Sequence, residues 1–76
     1  MPRLTPVHWK RLEKVFLELG FVFERESSSH RTYAKEGVDR PVVIPKYYSI
    51  GPDIILANLR TAGVSRDVYL RILAKY

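Results

Sequence analysis

The chain contains no cysteine, a single methionine, a single tryptophan and four glycines in 76 residues. Without cysteine there is neither a disulfide frame nor a thiolate metal site, which suits a reducing cytoplasm. No stretch of ~18 apolar residues exists, so no helix spanning a membrane is expected. Met1-Pro2-Arg3 leads into no apolar h-region, so no secretory leader is expected either. Glycine-rich phosphate loops, H-E-x-x-H and clustered carboxylates are all missing, so no cofactor and no metal enter the expected chemistry. Acidic residues are scarce: eight Asp and Glu face thirteen Lys and Arg, for a net charge of +5. That balance favours a polyanionic partner or an acidic protein partner; the plainer reading is ordinary solubility charge.

Apolar side chains are well supplied, at 46%. This is enough for a compact core and argues against disorder. At this length the chain forms one domain, residues 1–76, and buries only about 60–65% of its unfolded surface. Thr5-Pro6 reads as a helix start, with Thr as cap and Pro at the first helical position. His8, Leu12, Val15 and Leu19 share a helical face, Trp9 and Phe16 lie at its edge, and Lys10, Arg11 and Lys14 lie opposite. His8 reads as a partly buried packing residue, and Gly20 stops the helix.

Three strands follow: Phe21 to Arg25, His30 to Lys35 and Pro41 to Pro45. The turn Ser27 to Ser29 and the connection Glu36 to Asp39 join them, so they form an antiparallel meander. Lys46 to Pro52 connects to a helix from Asp53, ended by Gly63, and Ser65 caps a third helix. The order α-β-β-β-α-α predicts an α+β fold, a three-stranded antiparallel sheet with helices on one face. The expected core is Leu12, Val15, Phe16, Leu19, Phe21, Phe23, Val43, Ile55, Leu59 and Leu73.

The candidate site lies in Glu26-Ser27-Ser28-Ser29-His30-Arg31-Thr32-Tyr33. A histidine follows three serines where the second strand begins. Imidazole is the side chain whose ordinary pKa, about 6.5, lets it give or take a proton near neutral pH. Metal-independent RNA cleavage uses the 2′-OH as internal nucleophile. One group removes its proton, another protonates the 5′-oxygen, and cations steady the phosphorane charge. His30 is the candidate for proton transfer. Arg25, Arg31, Lys35 and Lys46 are candidate phosphate contacts, and Tyr33, Tyr47 and Tyr48 are candidate stacking surfaces for unpaired bases. The plainer readings are a surface histidine beside a turn, a solvated basic strand face and tyrosines at a core rim. No second catalytic acid or base is evident.

The ordered set Leu19-Gly20-Phe21, Ser29-His30, Val43-Ile44-Pro45, Ile50-Gly51-Pro52 and Leu59-Arg60-Thr61-Ala62-Gly63-Val64-Ser65 resembles the HicA toxin family of bacterial toxin–antitoxin systems. The resemblance runs from about Leu12 to Leu73. It implies a fold like the double-stranded RNA-binding domain and a metal-independent mRNA interferase. It also implies a catalytic histidine at His30, with Ser29 beside it in the RNA site, and a HicB-type antitoxin that blocks that site. The sequence departs from the family pattern at Ser28, where glycine is common, at Tyr47, near the place of a second histidine, and at Asp53, where glycine is frequent. Two other readings compete. One is a non-catalytic RNA-binding module on the same fold. The other is a DNA-binding helix-turn-helix from residues 53–62 and 66–75, with Gly63 in its turn.

Overall fold

A computed structural model describes residues 4–76; the expectation placed on Met1-Pro2-Arg3 lies outside the described residues. Six elements follow in order: α1 (Trp9–Glu18), β1 (Val22–Ser27), β2 (His30–Ala34), β3 (Val42–Pro45), α2 (Pro52–Ala62) and α3 (Arg66–Leu73). The strands form one antiparallel sheet in the order β1-β2-β3. This is the expected α+β layout. Helices α1 and α2 pack against β3, and α3 packs chiefly on α1 and α2.

The first helix begins later than Thr5-Pro6 suggests. A residue before proline is pushed away from helical φ/ψ, and Val7 is taken up in an antiparallel bridge with Ile50. Their backbones exchange hydrogen bonds of 3.1 and 2.8 Å. The cap is therefore His8, whose Nδ1 accepts from the Lys10 N–H at 3.1 Å. At the other end Gly20 takes φ +97° while the Phe21 N–H reaches back to the Phe16 carbonyl. This is a Schellman close, which favours glycine because an L side chain is strained there. Gly63 ends α2 in the same way, at φ +69°. Asp53, in the first turn of α2, places negative charge where the helix dipole stabilises it by about 0.3–1 kcal/mol.

Of the expected core, Leu12, Val15, Phe16, Phe21, Ile55, Leu59 and Leu73 are buried and Leu19 is half-buried. Two residues are not. Val43 is 41% exposed because strand alternation turns Val42 and Ile44, not Val43, toward the helices. A one-residue change of register reverses that choice. Phe23 is 41% exposed because no helix reaches over the edge strand, and all six β1 residues are exposed. Tyr33, Val42, Ile44, Ile50, Tyr69 and Ile72 complete the core in their place, with Leu4 and Val7 from the N-terminal segment. Each such aliphatic or aromatic side chain contributes roughly 1.5–3 kcal/mol by leaving water. The helix-turn-helix reading loses its recognition helix here, because Tyr69, Ile72 and Leu73 of α3 are committed to the core.

The β1–β2 hairpin closes on a two-residue loop, Ser28-Ser29, between the paired residues Ser27 and His30. Ser28 adopts φ +55°, a conformation that costs a non-glycine residue about 1–2 kcal/mol. The extra chain entropy of glycine offsets part of any gain from relieving that strain. Ser28→Gly is expected to stabilise the fold by about 0.5–1 kcal/mol, read as a higher urea midpoint. A lower midpoint would mean that the serine side chain holds the turn.

Candidate functional site

Alternation along the strands sorts the candidate residues onto two faces. Tyr33, Val42 and Ile44 point to the helices, and so do Arg31 and Glu26, which pair in register and join by a 2.9 Å ion pair. Between these positions fall His30, Thr32 and Val43, with Arg25 beside Thr32 and Ser27 beside His30 on the neighbouring strand. Among the described residues, no helix packs on this second face. His30 is thus the first residue of β2, exposed, flanked in register by Ser27 and Pro45. Glu24, the extra residue of a bulge between Phe23 and Arg25, re-aims β1 so that Arg25 shares the His30 face.

The end of the hairpin is clipped to β3. The Ser29 carbonyl accepts from the Lys46 N–H at 2.7 Å. Ser29 and Lys46 therefore stand next to His30, on the rim of the sheet. The Lys46 ammonium turns toward the helix side, 3.5 Å from Glu26 Oε1 and 5.5 Å from the centre of the Trp9 ring. Lys35 is elsewhere: five residues of strand, roughly 17 Å, separate it from His30. There its ammonium lies 5.8 Å from the Phe21 ring centre, beside the end of α1.

Arg31 is held inside a cluster. Its guanidinium donates to Tyr33 Oη at 3.0 Å and to Glu26 Oε1 at 2.9 Å, and lies 3.2 Å from Glu13 Oε2. It also rests over the Phe23 ring at 4.1 Å and reaches within 5.6 Å of Trp9. The Tyr33 hydroxyl in turn donates to Glu13 Oε2. The bond to Tyr33, then that to Glu26, raises the Arg31 pKa, and the Arg31 bond holds the Glu26 carboxyl below its usual range. Burial, followed by the bond to Glu13, pushes the Tyr33 phenol up to about 12. Tyr33 is wholly buried, so it offers no face to a base, whereas Tyr48 is 89% exposed and Tyr47 is also open. Glu13 was not singled out in the sequence, and Trp9 only as an edge of the apolar face of α1. The signal was faint: they stand four residues apart on one side of α1, and nothing local says that this side meets β2.

The second histidine also comes to this end. The His8 ring meets Tyr48 edge-on at 5.2 Å, and the Trp9 N–H donates to the Tyr47 carbonyl at 3.1 Å. The segment 46–48 thus touches the His30 hairpin on one side and the start of α1 on the other. Among the described residues no group of three His, Asp or Glu gathers as metal ligands, and no helix is long and apolar enough to cross a membrane.

The model of one family, described as HicA toxin of bacterial toxin-antitoxin, matches residues 9–64 of this 76-residue chain. The chain belongs to the HicA toxin family. The match spans α1, the whole sheet and α2, and so includes the His30 hairpin and the 46–48 segment. Comparison with curated proteins and with solved structures gives no match. As a HicA toxin the chain belongs to a two-part system, so an antitoxin is its partner.

Proposed function

We propose that this HicA toxin is a metal-independent endoribonuclease acting on mRNA in the cytoplasm, with His30 as its proton-transfer group. The observation that carries the reading is the placement of His30: exposed, at the start of β2, on the face that no helix covers, with Arg25 and Ser27 on that face. An RNA backbone can approach such an edge without opening the fold. The 2′-oxygen attacks the adjacent phosphorus as its proton passes to a base. The P–O5′ bond breaks as the 5′-oxygen gains a proton. The products are a 2′,3′-cyclic phosphate and a 5′-hydroxyl. A neutral imidazole serves the first transfer and an imidazolium the second. Arg25 and Ser29 are the phosphate contacts nearest this position, while the Lys46 ammonium reaches a phosphate there only by swinging away from Glu26. Arg31 supports the site from behind by fixing Glu26 and Tyr33, and Lys35 is a distant contact for a longer strand.

A HicB-type antitoxin laid over the hairpin would exclude RNA sterically, and acidic side chains on it would speed its association with a basic toxin. The test is incubation of the purified toxin with RNA in excess chelator. The expected products carry 2′,3′-cyclic phosphate ends, 2′-O-methyl RNA stays intact, and the adjacent gene's product stops the reaction. Binding of RNA without cleavage would favour the non-catalytic module, and loss of cleavage in chelator would overturn the metal-free route.

A further inference from the structure

A groove of about 340 Å³ opens beside the start of α1, lined by His8, Lys10, Arg11, Lys14 and Tyr76. Its size is at the small end of ligand clefts, suited to a single nucleotide rather than a duplex. Three features distinguish it from ordinary solvated charge. Lys10 and Lys14 stand four residues apart on one helix, where like charges repel by a few tenths of a kcal/mol. Among the described residues, no carboxylate lies within 4.0 Å of Lys10, Arg11 or Lys14. The nearby acid is already matched: Glu18 accepts from Lys75 Nζ and from the Tyr76 hydroxyl, each at 2.7 Å.

The groove is also held in shape. The Arg11 guanidinium donates to the Leu73 carbonyl at 3.1 Å, tying α1 to the end of α3. The Tyr76 ring is pinned through its hydroxyl to Glu18 and lies 5.5 Å from Lys14 Nζ, yet it remains 45% exposed. An aromatic face beside uncompensated cations is the pairing that binds single-stranded nucleic acid, since rings stack on bases and cations take phosphates. His8 presents its Nδ1 to the helix as an acceptor, so the neutral ring carries its proton on Nε2 as a donor.

We infer that this groove is a nucleotide subsite for the RNA strand cut at His30, with Lys10 and Lys14 on phosphates and Tyr76 stacked on a base. The inference rests on the RNA reading of the His30 hairpin. A continuous rim links the two places: His8 meets Tyr48, the Tyr47 carbonyl takes the Trp9 N–H, and the Lys46 N–H clips the Ser29 carbonyl. A strand following that rim passes from catalytic edge to groove without crossing the core.

The experiment titrates the toxin with a short 2′-O-methyl oligoribonucleotide of mixed sequence, which lacks the nucleophile, across a salt series. Each phosphate contact on a single strand contributes about 0.7 to the log–log salt slope. Lys10→Gln with Lys14→Gln is therefore expected to flatten it by about 1.4 and to weaken binding about tenfold at low salt. Tyr76→Leu should lose about tenfold, the order expected for one stacked base, while Tyr76→Phe keeps its ring, loses only the pin to Glu18, and should lose much less. Arg40→Gln with Arg60→Gln, which removes equal charge from a separate cleft, should do less than the lysine pair. Urea midpoints confirm that the variants remain folded. Equal losses from the two charge pairs, or unchanged binding in the groove variants, would overturn the subsite while leaving the His30 reading intact. Groove variants that bind RNA normally but release a co-expressed antitoxin would make the groove a protein contact and overturn it as well. A wild-type toxin that binds no RNA would remove both readings together.

Discussion

His30→Ala is expected to slow RNA cleavage by about 10²–10⁴-fold, the usual worth of a positioned proton-transfer group, and to abolish growth inhibition. The fold should not change. His30 is exposed at the start of β2 and makes none of the ion pairs that brace the sheet, and surface substitutions of this kind stay within about 0.5 kcal/mol. Nor does any buried group lose a partner, because the Ser29–Lys46 clip beside it is backbone to backbone. The measurement is a single-turnover cleavage rate at saturating toxin, with a urea midpoint on the same sample. Oligonucleotide binding should fall far less than the rate, since Arg25, Lys46 and the groove cations remain. A mutant cutting at the wild-type rate would show that the proton moves through some other group.

Arg31→Ala should damage the fold instead, by about 2–3 kcal/mol. Exposed ion pairs contribute about 0–1 kcal/mol and buried ones about 3–5 when one partner is removed. Arg31, with 23% of its side chain exposed, lies between these limits. The loss leaves Glu13 without its cation and Glu26 with Lys46 alone, at 3.5 Å, and uncovers the Phe23 ring. In a domain this small, each kcal/mol moves Tm by about 4–8 °C, so a drop of roughly 10–20 °C is expected. Arg31→Lys keeps the charge but not the planar fork that serves Tyr33 and Glu26 together, and should fall between. The pH dependence carries a further signature. The Arg31 bond depresses the Glu26 pKa, so its contribution is present above the ordinary carboxylate range, near pH 4.3, and is lost as pH falls through the lowered value. The Arg31→Ala protein should show a smaller acid-side loss, since only Lys46 then holds the Glu26 carboxyl down. At the alkaline end Tyr33, raised to about 12, keeps its proton in the fold while an unfolded chain ionises near 10. Stability therefore falls between those values in both proteins. An Arg31→Ala midpoint equal to wild type would show that the cluster contributes only charge.

Much of this was written in local chemistry. The α-β-β-β-α-α order followed from helical and strand periods and from Gly20, Gly63 and Ser65, residues whose backbone or hydroxyl preferences act within a few positions. His30 stood out because only imidazole offers proton transfer near neutrality, and the short serine turn placed it at a strand's beginning. What failed was whatever required knowing the neighbour across space. Val43 and Val42 have the same side chain, and only the register with Tyr33 and Thr32 decides which one meets the helices. Phe23 is as apolar as Phe21, yet an edge strand beyond the reach of the helices leaves it half open. Arg31 and Arg25 are the same residue in sequence terms, but alternation turned one inward to Glu13 and Glu26 and the other onto the His30 face. Local sequence determined which elements form and which side chains can do chemistry, because those are short-range properties. The tertiary structure alone decided which charges are free, because a cation's availability depends on the carboxylates and rings that distant segments bring within a few ångströms of it.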